Sequence, residues 1–254
     1  TDTPVVWEAN RLKMLETGQS TSVALRIVRN GRIGFASTTR LDQPQALVDM
    51  AVETSQFGAE ARFELPSAQK YPSIEVYDAE VQNVDVDDMV RMGNEIIATL
   101  LAHTPELVCE GSIEKSENEI RIINSRGGQA SYRKSVFDIS IEGTLIRGTD
   151  MLFVGEMDMS CRPIRDFKKI AESTIRQLEL AKRTASISTG RMPVILTPKG
   201  VINALGTPIA LAVNGKMVLE GASPLGGKIG QQLFDVRLTI WDDPTIDYLP
   251  ASRP

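Results

Sequence analysis

Apolar and polar positions alternate along residues 21–38, TSVALRIVRNGRIGFAST, and the alternation is interrupted only at Asn30-Gly31. Alternation with a period of two is typical of a strand with one buried face, and Asn-Gly tolerates the positive φ angles of a two-residue type I′ turn. The pattern therefore predicts a β-hairpin centred on this pair. The resulting register places large residues opposite small or apolar ones: Leu25 opposite Ala36, Ile27 opposite Gly34 and Val28 opposite Ile33.

The same register places two arginines next to the turn. Arg29 and Arg32 would face each other directly, and a like-charge pair is unfavourable unless both side chains extend into solvent or share an anion. We favour the first arrangement, because it is the ordinary behaviour of surface charges. Residues Val5–Leu15, which precede the hairpin, are expected to form a further strand of the same sheet.

Helical periodicity follows the hairpin. Asp42 as a cap and Pro44 in the first turn predict the start of one helix, with Gly58 as its stop. A second helix is predicted between its N-cap Asp85 and Pro105. Its apolar positions recur at helical spacing: Val86, Met89, Val90, Gly93, Ile96, Ile97, Leu100 and Leu101. We expect this helix to lie on the sheet.

Short strands come next, separated by clusters of turn-forming residues. Successive strands with short connections favour an antiparallel meander. The predicted strands are Leu107–Lys115, Ile120–Asn124, Ala130–Leu145 and Met151–Met159, with turns at Ser116–Asn118, Ser125–Gly128 and Gly148-Thr149. A long helix is then predicted from Arg162-Pro163 to about Thr184.

A small polar stretch, ASISTG at residues 185–190, predicts a domain boundary. Beyond it we expect a strand at Met192–Leu196, a helix from Thr197-Pro198, a glycine-rich loop and a strand at Phe234–Trp241. The predicted class is α+β: an N-terminal domain over residues 1–190, with an antiparallel sheet and packed helices, followed by the start of a β-rich domain over residues 191–254. One strand, helix and strand can hardly enclose a core, so we expect the second domain to be incomplete.

Composition narrows the classes of function. The 254 residues include 33 acidic and 28 basic residues, and a net charge of −5 disfavours a surface that neutralises phosphates. We therefore expect no direct nucleic-acid partner. The two cysteines show neither disulfide nor zinc-ribbon spacing, which favours reduced thiols in the cytoplasm. No run of about 18 apolar residues predicts a membrane span.

Few residues carry candidate chemistry. His103 is the only histidine, which excludes any site that needs two, and it is most simply a basic residue at the end of a helix. No Gly-x-Ser-x-Gly motif is present. Asp85, Asp87 and Asp88 lie together in the first turn of a predicted helix, where carboxylates are favoured by capping and by the helix dipole. We interpret them as structural rather than as a cation site.

The glycine-rich loop at residues 221–230 has two interpretations. In the first, Gly227 and Lys228 match the Gly-Lys pair of a phosphate-binding P-loop. However, Ala222 replaces the first glycine of that motif, and Ile229 replaces the Ser or Thr that would hold magnesium. Alternatively, glycines let an extended peptide approach the backbone closely, as in strand addition. The candidates for peptide contact are Ser223, Gly226, Gly227 and Lys228, unless they merely form a tight turn.

Four stretches, in this order and spacing, resemble the TldD/PmbA family, whose members were once called modulators of DNA gyrase. They are residues 31–38 (GRIGFAST), 192–198 (MPVILTP), 223–230 (SPLGGKIG) and 238–244 (LTIWDDP). The resemblance spans nearly the whole chain, and the family normally continues beyond this point into the rest of a β-rich domain.

The resemblance implies a cytoplasmic peptidase of two different subunits that acts on unfolded or modified peptides. The TldD-type subunit of the family carries zinc on an HExxxH helix. Alignment on residues 228–230 puts Gly206, Thr207 and Leu211 at the positions of the first His, the Glu and the last His. The chain therefore resembles the PmbA (TldE) type, with no metal or catalytic residue of its own and with zinc expected in its partner. Two alternatives remain, a regulator without proteolytic activity and a nucleotide-binding enzyme.

Overall fold

The structure is a computed structural model that describes residues 1–253, so residue 254 of the predicted second domain lies outside it. The chain divides into two compact units, Thr1–Arg183 together with the stretch from Asp243 onward, and Thr184–Asp242. Mixed helices and antiparallel strands confirm the α+β class. None of the helices in the described residues is long and apolar enough to cross a membrane.

The first unit contains every strand among the described residues. The strands are β1 (Asp2–Glu8), β2 (Arg11–Leu15), β3 (Val23–Arg29), β4 (Arg32–Thr38), β5 (Val108–Ile123), β6 (Gln129–Arg147) and β7 (Asp150–Ser160). Its helices are α1 (Pro44–Ser55), α2 (Glu80–Asn83), α3 (Val86–His103) and α4 (Lys168–Leu180). The larger sheet has the order β2-β1-β5-β6-β7, and all its neighbours are antiparallel.

The predicted meander is confirmed in β5, β6 and β7, with turns at Gly127 and Gly148, whose φ angles are +82° and +63°. The predicted turn at Ser116–Asn118 is wrong. There β5 continues without a break, paired with β6 from Ser116 opposite Val136 onward. Polar residues within a strand resemble a turn in sequence, but here the pairing with β6 continues through them, and Glu117 N donates a 2.9 Å hydrogen bond to the Thr1 carbonyl on the other side.

One face of this sheet packs on α3 and α4 around a common core. Trp7 of β1 lies in it with only 2% of its surface exposed. The indole ring sits over Gly93 of α3, where a Cβ atom would come within 2.2 Å of it. The predicted N-cap of α3 is confirmed, since Asp85 Oδ1 accepts a hydrogen bond of 2.9 Å from Asp87 N. The core thus explains the glycine within this helix.

The hairpin forms with the predicted register in every pair from Val23–Thr38 to Arg29–Arg32. Asn30 and Gly31 have φ angles of +51° and +74°, as a type I′ turn requires. The hairpin packs its small residues on α1, where a Cβ atom at Gly34 would lie 2.0 Å from the carbonyl oxygen of Ala51. The two arginines do extend from the turn, and Arg32 Nη1 donates a 2.9 Å hydrogen bond to the Gly58 carbonyl.

Three further predictions for the first unit are wrong. The hairpin is a separate two-stranded sheet, and residues 5–15 form β1 and β2 of the larger sheet instead, turning at Ala9 and Asn10. Asn10 fixes that turn, because its amide bonds both Cys109 N and Leu107 O. Helix α1 begins after Gln43 without a side-chain cap, so Asp42 is not its N-cap.

The third concerns α4, which begins at Lys168 rather than at Arg162 and ends at Leu180. Ile164 and Phe167 are both buried in the core, although Ile164 precedes the helix in irregular backbone. An apolar spacing of three residues suits a helix, but a bent segment that enters the core twice satisfies it as well.

The second unit contains only short helices among its described residues. They are α5 (Pro198–Val201), a π-helical turn (Ile202–Gly206), α6 (Thr207–Ala212) and α7 (Gly215–Leu219). The predicted helix start is confirmed, since Thr197 caps α5 by accepting a 3.1 Å hydrogen bond from Gly200 N. The predicted strands at Met192–Leu196 and Phe234–Trp241 do not form. A strand needs a hydrogen-bonded neighbour, and neither segment has one in this unit.

After Asp243 the chain packs on the first unit again. Tyr248 N donates a 2.6 Å hydrogen bond to Glu75 O, and Cys161 N donates one of 3.0 Å to Tyr248 O. The Arg162 guanidinium lies 3.4 Å from the centre of the Tyr248 ring. The buried ammonium of Lys134 donates to the carbonyls of residues 250 and 252. These contacts fix the last described residues to the larger sheet.

Candidate functional site

The glycine-rich loop begins where α7 ends. Gly221 has a φ of +73°, and the amides of Ala222 and Ser223 donate hydrogen bonds of 2.9 and 3.1 Å to the Met217 carbonyl. A glycine with positive φ after the last helical turn is a common way to end a helix and satisfy its free carbonyls. The chain therefore reverses at the start of this loop for a local structural reason.

Ser223 is committed to the loop itself. Its hydroxyl donates to the Ala212 carbonyl and accepts a 3.0 Å hydrogen bond from Leu225 N. Its own carbonyl accepts a 3.2 Å hydrogen bond from Gly226 N. Because the hydroxyl already both donates and accepts, Ser223 holds the loop in shape, and a ligand would have to compete for that hydroxyl.

The two central glycines differ in what they require. Gly227 has a φ of +70°, so any other residue there is strained, although its side chain would have open space. Gly226 has no positive φ, and a Cβ atom there would lie 3.4 Å from the Ser223 carbonyl oxygen. Gly227 is thus needed by the turn, whereas the backbone at Gly226 is open to an approaching chain.

Lys228 contributes the charge of this loop. Its amide donates a 3.2 Å hydrogen bond to Leu225 O, and its carbonyl accepts one of 3.1 Å from Gln231 N. Its side chain forms no ion pair within residues 1–253. The neighbouring Ile229 side chain is 99% exposed. The loop therefore presents one cation, one apolar side chain and an accessible backbone.

The nucleotide-binding alternative is not supported by this geometry. A P-loop follows a strand and leads into a helix, whose N-terminus holds the phosphates. Here the loop follows α7, and residues 231–242 form no helix. The arrangement thus lacks the helix dipole that phosphate binding requires.

The positions that would carry a zinc motif lie on the helical segment before the loop. Gly206 ends the π-helical turn, and Thr207 and Leu211 belong to α6. They lie on a helix, as HExxxH ligands would, but offer no imidazole or carboxylate. Among the described residues, no three His, Cys, Asp or Glu side chains come together as a metal site would require.

His103 lies in the last turn of α3, as predicted, and takes part in surface contacts. Its Nε2 lies 2.6 Å from Glu179 Oε1, and its Nδ1 lies 2.8 Å from Thr104 Oγ1. Hydrogen bonds from Lys182 and then from His103 lower the pKa of Glu179. Thr104 is the next residue in the chain and caps the end of the helix with His103, and Lys182 shares Glu179 with the imidazole, so we assign these contacts a structural role.

Both cysteines are buried thiols. Burial raises the pKa of Cys109 to about 11, and burial also raises the pKa of Cys161, although the nearby Lys134 charge lowers it. A thiol with a raised pKa is mostly protonated at neutral pH and therefore a poor nucleophile. Neither Cys109 nor Cys161 is therefore suited to covalent catalysis.

Sequence reasoning missed one exposed surface of the larger sheet. Along β7, four large apolar side chains point away from the core, and each is at least 44% exposed: Met151, Phe153, Met157 and Met159. The available signal was the recurrence of Met and Phe at alternate positions on a strand whose other face also carries apolar residues, Leu152 and Val154, of which Val154 is buried.

Comparisons with known proteins match both ends of the chain. A family model described as PmbA/TldA metallopeptidase domain 1 matches residues 1–55, and one described as the PmbA/TldA metallopeptidase C-terminal domain matches residues 189–254. An uncharacterized protein of Methanocaldococcus jannaschii is 24% identical over 92% of this chain and 54% of its own length. A protein of Methanothermobacter thermautotrophicus named metalloprotease is 23% identical over 96% of this chain and 55% of its own length.

Solved structures share the fold. TldE from Thermococcus kodakarensis is similar with a TM-score of 0.74 and 18% identity, over 90% of this chain and 53% of that one. A candidate modulator of DNA gyrase from Bacteroides thetaiotaomicron is similar with a TM-score of 0.86 and 18% identity, over 99% of this chain and 60% of that one. The chain spans about half the length of the curated relatives that it matches.

Proposed function

Because the chain belongs to the PmbA/TldD metallopeptidase family, we propose that it is the subunit without zinc of a two-subunit peptidase. Its partner in this proposal is a TldD-type subunit that carries zinc on an HExxxH helix. The assembly degrades or matures unfolded or modified peptides in the cytoplasm, and it involves neither nucleic acid nor membrane.

One observation carries the proposal. The helical positions that would hold the zinc motif are Gly206, Thr207 and Leu211, and none of them provides a zinc ligand. The only histidine of the chain, His103, belongs to the other unit. A peptidase of this family whose own helix has no ligands needs the Lewis acid and the activated water of a partner.

The proposed contribution of this chain is to position the substrate. The backbone around Gly226 is open, and Lys228 can attract the carboxylates of a peptide. Ser223 and Gly227 shape the loop that presents these two groups. Positioning of this kind can accelerate a reaction substantially without chemical groups of its own, because it replaces encounter in solution by a fixed geometry.

A second candidate function is regulation by binding alone, without proteolysis. It is favoured by two similar solved structures that are described as candidate modulators of DNA gyrase. The second of these proteins is from Thermotoga maritima, and it is similar with a TM-score of 0.72 and 16% identity over 91% of this chain and 54% of that one. In that case the protein would bind its partner, but the cleavage of peptides would not depend on it.

The experiment is reconstitution with a TldD-type subunit and an unstructured peptide. Gly226→Val should reduce cleavage, while the assembly and the zinc content of the partner stay unchanged, because a branched side chain at an open backbone position blocks approach. Gly190→Val is the control outside the loop, since a Cβ atom there meets nothing within 4 Å, and one at Gly226 meets only the Ser223 carbonyl oxygen at ordinary contact distance. Equal cleavage by both variants and the unsubstituted protein would remove the loop from the proposal.

A further inference from the structure

The face of the larger sheet that does not pack on α3 and α4 carries like charges in direct opposition. Glu110 of β5 faces Glu142 of β6, and Glu114 faces Asp138 four residues further along β5. Between the two pairs lie Ser112 and Ser140, whose hydroxyl oxygens are 3.0 Å apart. Like charges directly opposite each other destabilise a sheet, and here two such pairs recur on one face.

Among the described residues of β5 and β6, no Lys or Arg stands beside these charges on this face, and Lys13 of β2 pairs with Glu8 of β1 instead. The four carboxylates form no ion pair, and the other outward positions of β5 and β6 beside them hold Val, Ser, Thr and Ile. Burial and then repulsion from Asp138 and Asp2 raise the pKa of Glu114, and burial raises that of Asp138. The fold thus keeps an unfavourable arrangement that a cationic partner would relieve.

Next to these carboxylates runs an apolar stripe. The outward residues of β7 are Met151, Phe153, Gly155, Met157 and Met159, and each lies opposite an outward residue of β6. Phe153, at 69% exposed, is the most open of them. Unbranched methionine side chains adapt to different partners, and exposed apolar patches mark interaction sites. We call the four carboxylates and the stripe together the open face.

The edge of β7 is less available than the open face. The side-chain amide of Gln177 on α4 accepts a 3.1 Å hydrogen bond from Gly155 N and donates one of 2.8 Å to Gly155 O. This side chain takes the place of a neighbouring strand in the middle of the edge, which hinders strand addition there. A partner would therefore dock on the open face rather than along the edge.

We infer that the open face binds a basic amphipathic helix of a partner protein. Neighbouring strands are about 4.8 Å apart and a helix is about 10 Å wide, so one helix laid along β6 and β7 spans both the carboxylates and the stripe. Its apolar side would contact the methionines, and Lys or Arg on one flank would meet the acidic pairs. This inference does not depend on the proposed peptidase role.

A second copy of this chain does not fit the open face. In a symmetric dimer the same patch meets itself, and this patch holds no Lys or Arg that could meet the four carboxylates. Repulsion between like charges suppresses such a pairing, whereas a basic partner gains from the same charges. The charge pattern therefore selects the partner.

The test uses a designed, fluorescently labelled helix of about 18 residues with one leucine side and one lysine side. Fluorescence anisotropy should show that it binds the protein, that added salt weakens binding and that a leucine–glutamate counterpart does not bind. The double variant Glu110→Gln, Glu142→Gln should weaken binding by about tenfold. The matched control Glu53→Gln, Glu106→Gln removes two exposed carboxylates elsewhere and should leave affinity unchanged.

Stability separates a binding role from a structural one. The double variant at residues 110 and 142 should melt at the same or a higher temperature, because it removes a like-charge pair. Phe153→Ser should also weaken binding of the lysine helix several-fold. Three results would overturn the inference. The control variant could weaken binding as much as the double variant does, the glutamate helix could bind as well, or binding could be lost only together with a lower melting temperature. Self-association that Phe153→Glu abolishes would assign the open face to a second copy and overturn it as well.

Discussion

The two units of this chain differ in what covers their apolar side chains. In the first unit, strands and helices that are distant in sequence enclose one core, to which β1, β5, β6, α3 and α4 all contribute. In Thr184–Asp242 the helices bury none of their residues, and Ile195 is 97% exposed. Both units are rich in apolar residues, but these residues form a core only in the first unit, where the strands and helices that cover them belong to the same unit.

The two tryptophans make this contrast measurable. Trp7→Ala should reduce the free energy of unfolding by about 3–5 kcal/mol, because it empties the space over Gly93 in the core. Trp241→Ala, which removes a side chain that is 73% exposed, should change it by no more than about 0.5 kcal/mol. Denaturant unfolding monitored by circular dichroism measures both, and similar losses would mean that the second unit shares the cooperative core.

The same contrast explains which elements could be predicted from the sequence. The hairpin was predicted to the exact register because Asn30-Gly31 brings its own partner strand into place. Met192–Leu196 has an equally strand-like pattern, but no neighbouring sequence pairs with it, and it forms no strand. The sheet to which β1 belongs was not predictable either, since it depends on contacts of Asn10 with residues about 100 positions away.

The candidate site follows the same rule. The sequence predicted which loop residues lie together, because they are neighbours in the chain. That Gly206, Thr207 and Leu211 stand at the positions of a zinc motif stays a prediction from the family resemblance, and the structure shows these residues in consecutive helical turns. The sequence did not reveal that the Ser223 hydroxyl is already bonded to Ala212, or that Glu110 faces Glu142. Both depend on pairing between segments that only the folded chain brings together.

Glycines with positive φ test the contrast at the level of the backbone. Gly31→Val should destabilise the first unit by at least about 1 kcal/mol, because valine is strained at a φ of +74°. Gly227→Val carries the same strain at +70°, but should leave the main unfolding transition in place, since it lies in the other unit. Thermal melting of both variants measures this, and an unshifted transition in Gly31→Val would contradict the hairpin geometry.

The acidic pairs of the larger sheet predict a smaller effect, which depends on pH. The pKa values of Glu114 and Asp138 are raised, so the folded state binds more protons than the unfolded state just above their ordinary pKa values. Their contribution to stability therefore increases as the pH falls through that window, opposite to a carboxylate with a lowered pKa. Asp138→Asn should raise the melting temperature at neutral pH, and this gain should shrink as the pH falls towards the ordinary pKa of aspartate. A gain that stays constant with pH would contradict the assignment.

The central claim, that this chain supplies no zinc but is required for cleavage, is tested most directly by reconstitution with a TldD-type subunit. We expect metal analysis to find zinc only in the partner, and we expect cleavage of an unstructured peptide only when both proteins are present. About one tightly held zinc per molecule of this protein, or equal cleavage by the partner alone, would contradict the claim.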